Sequence, residues 1–214
     1  MNYTEITDNP EYEKIASLTH NEIKPFIVDE LAKNCGWARV ANMYQALGML
    51  AFILGAFKAF IPFYAYREST YLIHLVAGIV FLFTIGIVLH ELIHAFAYKY
   101  VGAKKISFGM KPKKFLFYVQ ADGEVMNYQQ FKIVALSSAV VVGVLSIFGM
   151  AICYNQPLFY FFLSILSLHS LCISGDFGLL CFFQNRPNEK IVTFDIKTEE
   201  KTYFYRKTTK SKKD

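Results

Sequence analysis

An all-α membrane protein, a four-transmembrane-helix bundle with small cytoplasmic β-hairpin elements, is the fold class this sequence predicts. Three observations carry it. The 214 residues are 54% hydrophobic and only 18% charged, with mean hydropathy +0.31, whereas a soluble domain carries about a quarter charged residues. Four apolar runs, near 40–63, 71–98, 133–154 and 158–183, each supply the roughly 20 helical residues that cross a hydrocarbon core of about 30 Å. The segments that join and flank them are either very short or rich in lysine.

Residues 1–39 come first. They begin acidic (MNYTEITDNPEYEK) and lack a short apolar core behind a basic tip, so no cleavable leader is expected. Within them, residues 22–34 set Ile23, Phe26, Ile27, Val28 and Leu31 at helical spacing. This predicts a helical N-terminal segment whose amphipathic piece lies on the membrane or packs on the bundle. AYREST joins the first two spans and a tight NQP turn joins the last two, so each pair reads as an antiparallel helical hairpin. Residues 104–126 differ in kind: aromatic and β-branched runs with Asp122-Gly123 as a turn signal predict a β-hairpin. That hairpin is either a lid, a purely structural piece, or an edge strand for an extended chain. The tail, 184–214, repeats the strand theme weakly in IVTFDI and KTYFYRK and ends in a basic TTKSKKD.

Charge sets the expected orientation. With four spans, all of the 22 Lys and Arg residues except Lys58 and Arg67 fall on one side, and seven lysines lie in 99–132 alone. The positive-inside rule makes that side the cytoplasm, which predicts a multi-pass protein of the cell membrane with both termini inside. The net charge of +5 is therefore read as a topology signal and an attraction to lipid headgroups; no nucleic-acid motif accompanies it. Cys35, Cys153, Cys172 and Cys181 show no C-x-x-C spacing. They are expected to be small apolar fillers, with neither a zinc ribbon nor a disulfide framework.

The chemistry concentrates in His90-Glu91-Leu92-Ile93-His94, an H-E-x-x-H pattern inside the second apolar run. Four residues apart on a helix, His90 and His94 share a face and can bind one Zn2+, with Glu91 placed to take a proton from activated water. Ionisable groups within a span mark a functional site by default. A catalytic zinc takes a third protein ligand, and His20, His74, Asp122, Glu124, His169 and Asp176 are the candidates. Depth separates them. His90 lies 19 residues beyond Tyr71 and Asp176 lies 19 beyond Pro157, so at 1.5 Å per residue both sit roughly 28 Å along parallel-running helices. Asp176 is thus the expected third ligand; otherwise it snorkels or caps a break at Ser174-Gly175. His169, seven residues earlier on much the same face, is expected behind the ligands or along the cavity, or else bonded to a backbone carbonyl.

VLHELIHAFAYKYVGAKKISFG, followed two spans later by ISGDFG, resembles the bacterial putative zincin peptidase family. These are small multi-pass membrane metalloproteases distantly similar to site-2 proteases. The resemblance covers roughly residues 71–183. It implies a zinc metallopeptidase whose later span supplies an Asp ligand from an Asp-Gly motif, here Asp176 in the reversed order Gly175-Asp176. It implies hydrolysis of a membrane protein or peptide substrate near the cytoplasmic face. Two other classes fit the same residues: a non-proteolytic membrane protein retaining the metal site (accessory factor or transporter), and a zinc hydrolase acting on a different bond. The sequence encodes neither the substrate nor the oligomeric state.

Overall fold

A computed structural model describes residues 2–111 and 116–208, the side chains of His20, Lys111 and Leu116 excepted. The chain opens with α1 (Tyr3–Thr7), β1 (Tyr12–Thr19) and α2 (His20–Ala32). α2 begins where the Glu22 carboxylate turns back to accept the Thr19 backbone N–H at 2.8 Å, placing negative charge at the positive end of the helix. Next come α3 (Gly36–Tyr66), α4 (Thr70–Phe81) and α5 (Ile87–Tyr100). A π-turn, Leu82–Gly86, joins the last two into one helix, Thr70–Tyr100. After β2 (Ile106–Lys111), β3 (Leu116–Ala121) and β4 (Met126–Asn127), α6 (Tyr128–Ile152) starts on an Asn127–Gln130 capping box. The chain continues through α7 (Leu158–Cys172), α8 (Ser174–Gln184), β5 (Ile191–Ile196) and β6 (Lys201–Lys207).

Three helices, Gly36–Tyr66, Thr70–Tyr100 and Tyr128–Ile152, are long and apolar enough to cross a membrane. α7 and α8 make a fourth candidate only when taken together, because they bend by 41° at Ile173. The long helices leave large apolar side chains such as Phe57, Phe96 and Leu145 uncovered, as helices solvated by lipid do. α7 stands in the middle of the bundle and meets its neighbours through small residues. A Cβ on Gly48 of α3 would lie 2.7 Å from Ser170 Oγ, and one on Gly78 of α4 would lie 2.5 Å from the Phe161 backbone oxygen. Without a hydrophobic drive between helices in lipid, such close backbone approach is what holds them together.

The N-terminal segment and the tail fold as one unit. A four-stranded antiparallel sheet runs in the order β1-β6-β5-β4, with Tyr12 opposite Lys207. The segment expected to be helical therefore contains a strand, and the expected tail contributes two strands, β5 and β6. The pairing escapes a local reading because the partners of β1 lie at the other end of the chain. The sheet packs Leu18, Ile191 and Phe204 onto Phe131, Leu180 and Phe182, which fixes it against α6 and α8.

β2 and β3 pair antiparallel as the expected hairpin, with Ile106 opposite Ala121. The last pair is Lys111 opposite Leu116; residues 112–115 lie outside the described residues. Asp122-Gly123, expected as the turn, instead leads out of β3: Gly123 has φ +69° and donates its N–H to the Asp195 carbonyl at 2.8 Å. The cysteine expectation is also corrected in part. Cys35 and Cys181 form a disulfide that ties the start of α3 to α8, while Cys153 and Cys172 are free. Packing brings together two cysteines separated by 146 residues, which spacing alone does not show.

Candidate metal centre

α5 delivers His90 and His94 to the inside of the bundle, just after the π-turn. A π-turn inserts an extra residue and so resets which face the following helix presents. His94 is buried, and its Nδ1 lies 2.9 Å from the Val134 carbonyl of α6. A carbonyl only accepts, so Nδ1 carries the proton and Nε2 presents a lone pair, the orientation of a metal-ligating imidazole. That Nε2 lies 3.0 Å from His90 Nε2. Asp176, in the first turn of α8 beyond the bend, brings Oδ2 to 3.5 Å from His94 Nε2 and 3.8 Å from His90 Nε2.

These three atoms suit a small divalent cation. Tetrahedral ligands about 2.0–2.1 Å from zinc stand roughly 3.3 Å from one another, close to the separations seen. Among the described residues, His90, His94 and Asp176 are the group that could hold a metal ion, their ligand atoms all lying within 4.8 Å of one another. The donor set, two imidazole nitrogens and one carboxylate oxygen, is one that zinc takes.

Glu91 lines the same cavity as the pair and reaches the hairpin. Its Oε2 accepts the Val119 backbone N–H at 2.8 Å. Just after β3, Asp122 donates its N–H to the Lys105 carbonyl just before β2, so by alternation Val119 of β3 turns its own N–H to the edge that β2 leaves open. The open edge of β3 therefore faces the centre and holds Glu91.

His169 of α7 lies behind His90, its Nε2 3.0 Å from His90 Nδ1. If His90 presents Nε2 to the cation, Nδ1–H donates to His169, whose own buried Nδ1 then carries a proton with no partner. The other ligand candidates are engaged elsewhere. His74 Nδ1 is bonded to the Thr70 carbonyl of its own helix at 2.8 Å. Asp122 accepts the Lys197 N–H at 2.8 Å, and Glu124 accepts the Lys104 and Lys105 N–H groups. The side chain of His20 lies outside the described residues.

The centre opens into a cavity of about 300 Å³ walled by α5, α6, α8, β3 and the sheet. Ile23 and Ile27 of α2 line it too, so the amphipathic N-terminal helix packs on the protein. Sequence reasoning missed three contributors: the Val134 carbonyl, the Val119 N–H as a Glu91 partner, and Asp195 of β5 on the cavity wall. No residue type signals a backbone group; Asp195 carried a weak signal as the one carboxylate of a mostly apolar strand.

A family profile described as "Putative zincin peptidase" matches residues 81–191, from the end of α4 to the start of β5. No curated protein and no solved structure matches the chain.

Proposed function

The chain belongs to the putative zincin peptidase family, and from that premise we propose that it is a zinc-dependent, membrane-embedded endopeptidase. It hydrolyses peptide bonds of membrane-associated protein substrates near the cytoplasmic face. The observation that carries this reading is the convergence of two imidazole Nε2 atoms and the Asp176 carboxylate, with Glu91 on the same helix turn.

His90, His94 and Asp176 hold the metal, and Glu91 is the proton carrier. When bound, zinc supplies Lewis-acid polarisation of the scissile carbonyl and lowers the pKa of a coordinated water to about 7. Glu91, steadied through Oε2 by the Val119 N–H, takes the proton of the attacking water and returns it to the leaving amine. The Val134 carbonyl fixes the His94 tautomer and His169 fixes the His90 ring. The substrate reaches the centre as extended chain, because a helix keeps its carbonyls in its own hydrogen bonds.

The membrane layout belongs to the same reading: four spans, the bent α7–α8 pair serving as the last, with both termini and the centre on the basic, cytoplasmic side. The bend supports it by bringing a carboxylate to the mouth of the bundle. It also lets water reach the centre.

Metal analysis of the purified protein with a peptide-hydrolysis assay tests the reading. Wild type should hold about one zinc per chain. Glu91→Gln should keep zinc and lose about 10²–10⁴-fold in turnover, whereas Asp176→Ala should bind zinc weakly. Equal zinc in wild type and Asp176→Ala would remove that ligand. Stoichiometric zinc without hydrolysis of any membrane protein or peptide would favour an accessory factor or transporter that keeps the site.

A further inference from the structure

The cavity has a second polar pole that the proposed hydrolysis does not use. Asp195 of β5 and Gln120 of β3 line it, together with Thr193 of β5 and Thr202 of β6. Thr202 Oγ1 donates to Asp195 Oδ1 at 2.6 Å. Gln120 is 6% exposed, and its Nε2 donor has no hydrogen-bond partner. Among the described residues, no lysine or arginine lines the cavity.

Charge counting shows what is missing. A divalent cation held by His90, His94 and Asp176 balances the negative charges of Asp176 and Glu91. Among the described residues lining the cavity, Asp195 is then left without a counter-charge. Burial raises its carboxyl to about 6, against the Thr202 hydrogen bond that lowers it, and nearby Asp122 raises it further. A group in that position gains from a cation placed beside it, which favours the charged form. The strand links it to the chemistry: Asp195 bridges to Asp122 just after β3, three residues beyond Val119, which binds Glu91, a backbone run of roughly 10 Å at about 3.3 Å per residue.

We propose that Asp195 and Gln120 form a specificity subsite for a cationic group of the substrate, an ammonium or guanidinium, in the same cavity as the metal-binding group. Asp195 takes the cation and Gln120 Nε2 donates to a neighbouring substrate carbonyl. The cation comes either from a Lys or Arg side chain or from a free α-amine. The inference rests on the peptidase reading for its substrate, and its test is independent of turnover.

The probes are three short apolar peptides labelled at the C-terminus: one acetylated with a single lysine, its norleucine counterpart, and the norleucine peptide with a free α-amine. Binding is followed by fluorescence anisotropy on the full-length, zinc-loaded Glu91→Gln protein in detergent. The lysine or free-amine peptide should bind at least about tenfold more tightly than the acetylated norleucine peptide, and whichever does so identifies the source of the cation. Adding Asp195→Asn should reduce that ratio to within about twofold, and Thr202→Val should reduce it in part; zinc content reports that each variant is folded. Equal binding of all three peptides, or a preference that survives Asp195→Asn, overturns the subsite. A cation preference that depends on Asp195, in a protein whose Glu91-intact form hydrolyses none of the peptides, sustains the subsite and sinks the peptidase reading instead.

Discussion

His169 reaches the centre only through the His90 ring, and that indirectness fixes the size of its effect. His169→Ala removes the partner of His90 Nδ1 without removing a ligand, so zinc affinity should fall about 10–100-fold, less than for Asp176→Ala. A competition titration with a chelator of known affinity measures both; equal losses would place His169 among the ligands. Glu30 of α2 is a buried residue of another kind. It is 2% exposed and bonded to Lys33, Asn185 and Arg186, joining α2 to the end of α8. Burial pushes its carboxyl up, but the three partners outweigh burial and hold it below the ordinary value. A carboxylate lowered on folding contributes stability above its unfolded value, about 4.3, and loses it as pH falls through the folded value. Thermal stability should therefore decline below about pH 4 in wild type, with a shallower decline in Glu30→Gln. Glu30→Ala should cost about 2–3 kcal/mol at neutral pH, because charged hydrogen-bond partners are stranded. A pH series of melting curves in detergent decides it.

Two glycines in the long helices should respond to the same substitution with opposite sign. A methyl at Gly78 would meet the Phe161 backbone oxygen at 2.5 Å, and α4 and α7 would have to separate, so Gly78→Ala should destabilise by about 1–3 kcal/mol. A methyl at Gly143 of α6 meets nothing within 4 Å; Gly143→Ala should be neutral or add up to about 1 kcal/mol through helix propensity. Detergent melting temperatures check the pair, and a fall of equal size in both would remove close packing on α7 as the cause. Both glycines look alike in sequence, which shows where local reading stops. The long helices were readable because hydropathy over about 20 residues averages out single exceptions. The β2–β3 hairpin was readable from its β-branched and aromatic runs. Its reversal was misplaced because Asp-Gly also suits a strand exit where φ is positive. H-E-x-x-H was readable because one helix carries both rings. Asp176 was readable only through matching helix depth, and the groups that orient this cluster are backbone atoms of other elements, which no residue type announces.

At the scale of the whole molecule, the two ends of the chain close over one mouth of the bundle. β1 pairs with β6, the sheet packs on α6 and α8, and Cys35–Cys181 joins α3 to α8 on that same side. The closure keeps Asp176 facing α5, because α8 is held by the sheet core and the disulfide, and the two residues just after it, Asn185 and Arg186, are held by Glu30. The segments that build this mouth carry most of the basic residues, and the proposed layout, by the charge rule, puts it in the cytoplasm. Disulfides are rare in a reducing cytosol, so the bond and the charge bias bear on the side of the membrane from opposite directions. One thiol count addresses the bond and one labelling experiment addresses the side. Protein unfolded in detergent without reductant should take two maleimides, at Cys153 and Cys172, and four after reduction. Four before reduction would show that the cysteines meet only as packed thiols. In intact cells, a reporter cysteine in the Lys58–Arg67 region should react with an impermeant maleimide, and one in the tail should stay unreactive until the membrane is opened. The reverse pattern would place the metal centre and the disulfide together outside, where the bond is expected and the substrates would be extracytoplasmic segments of membrane proteins.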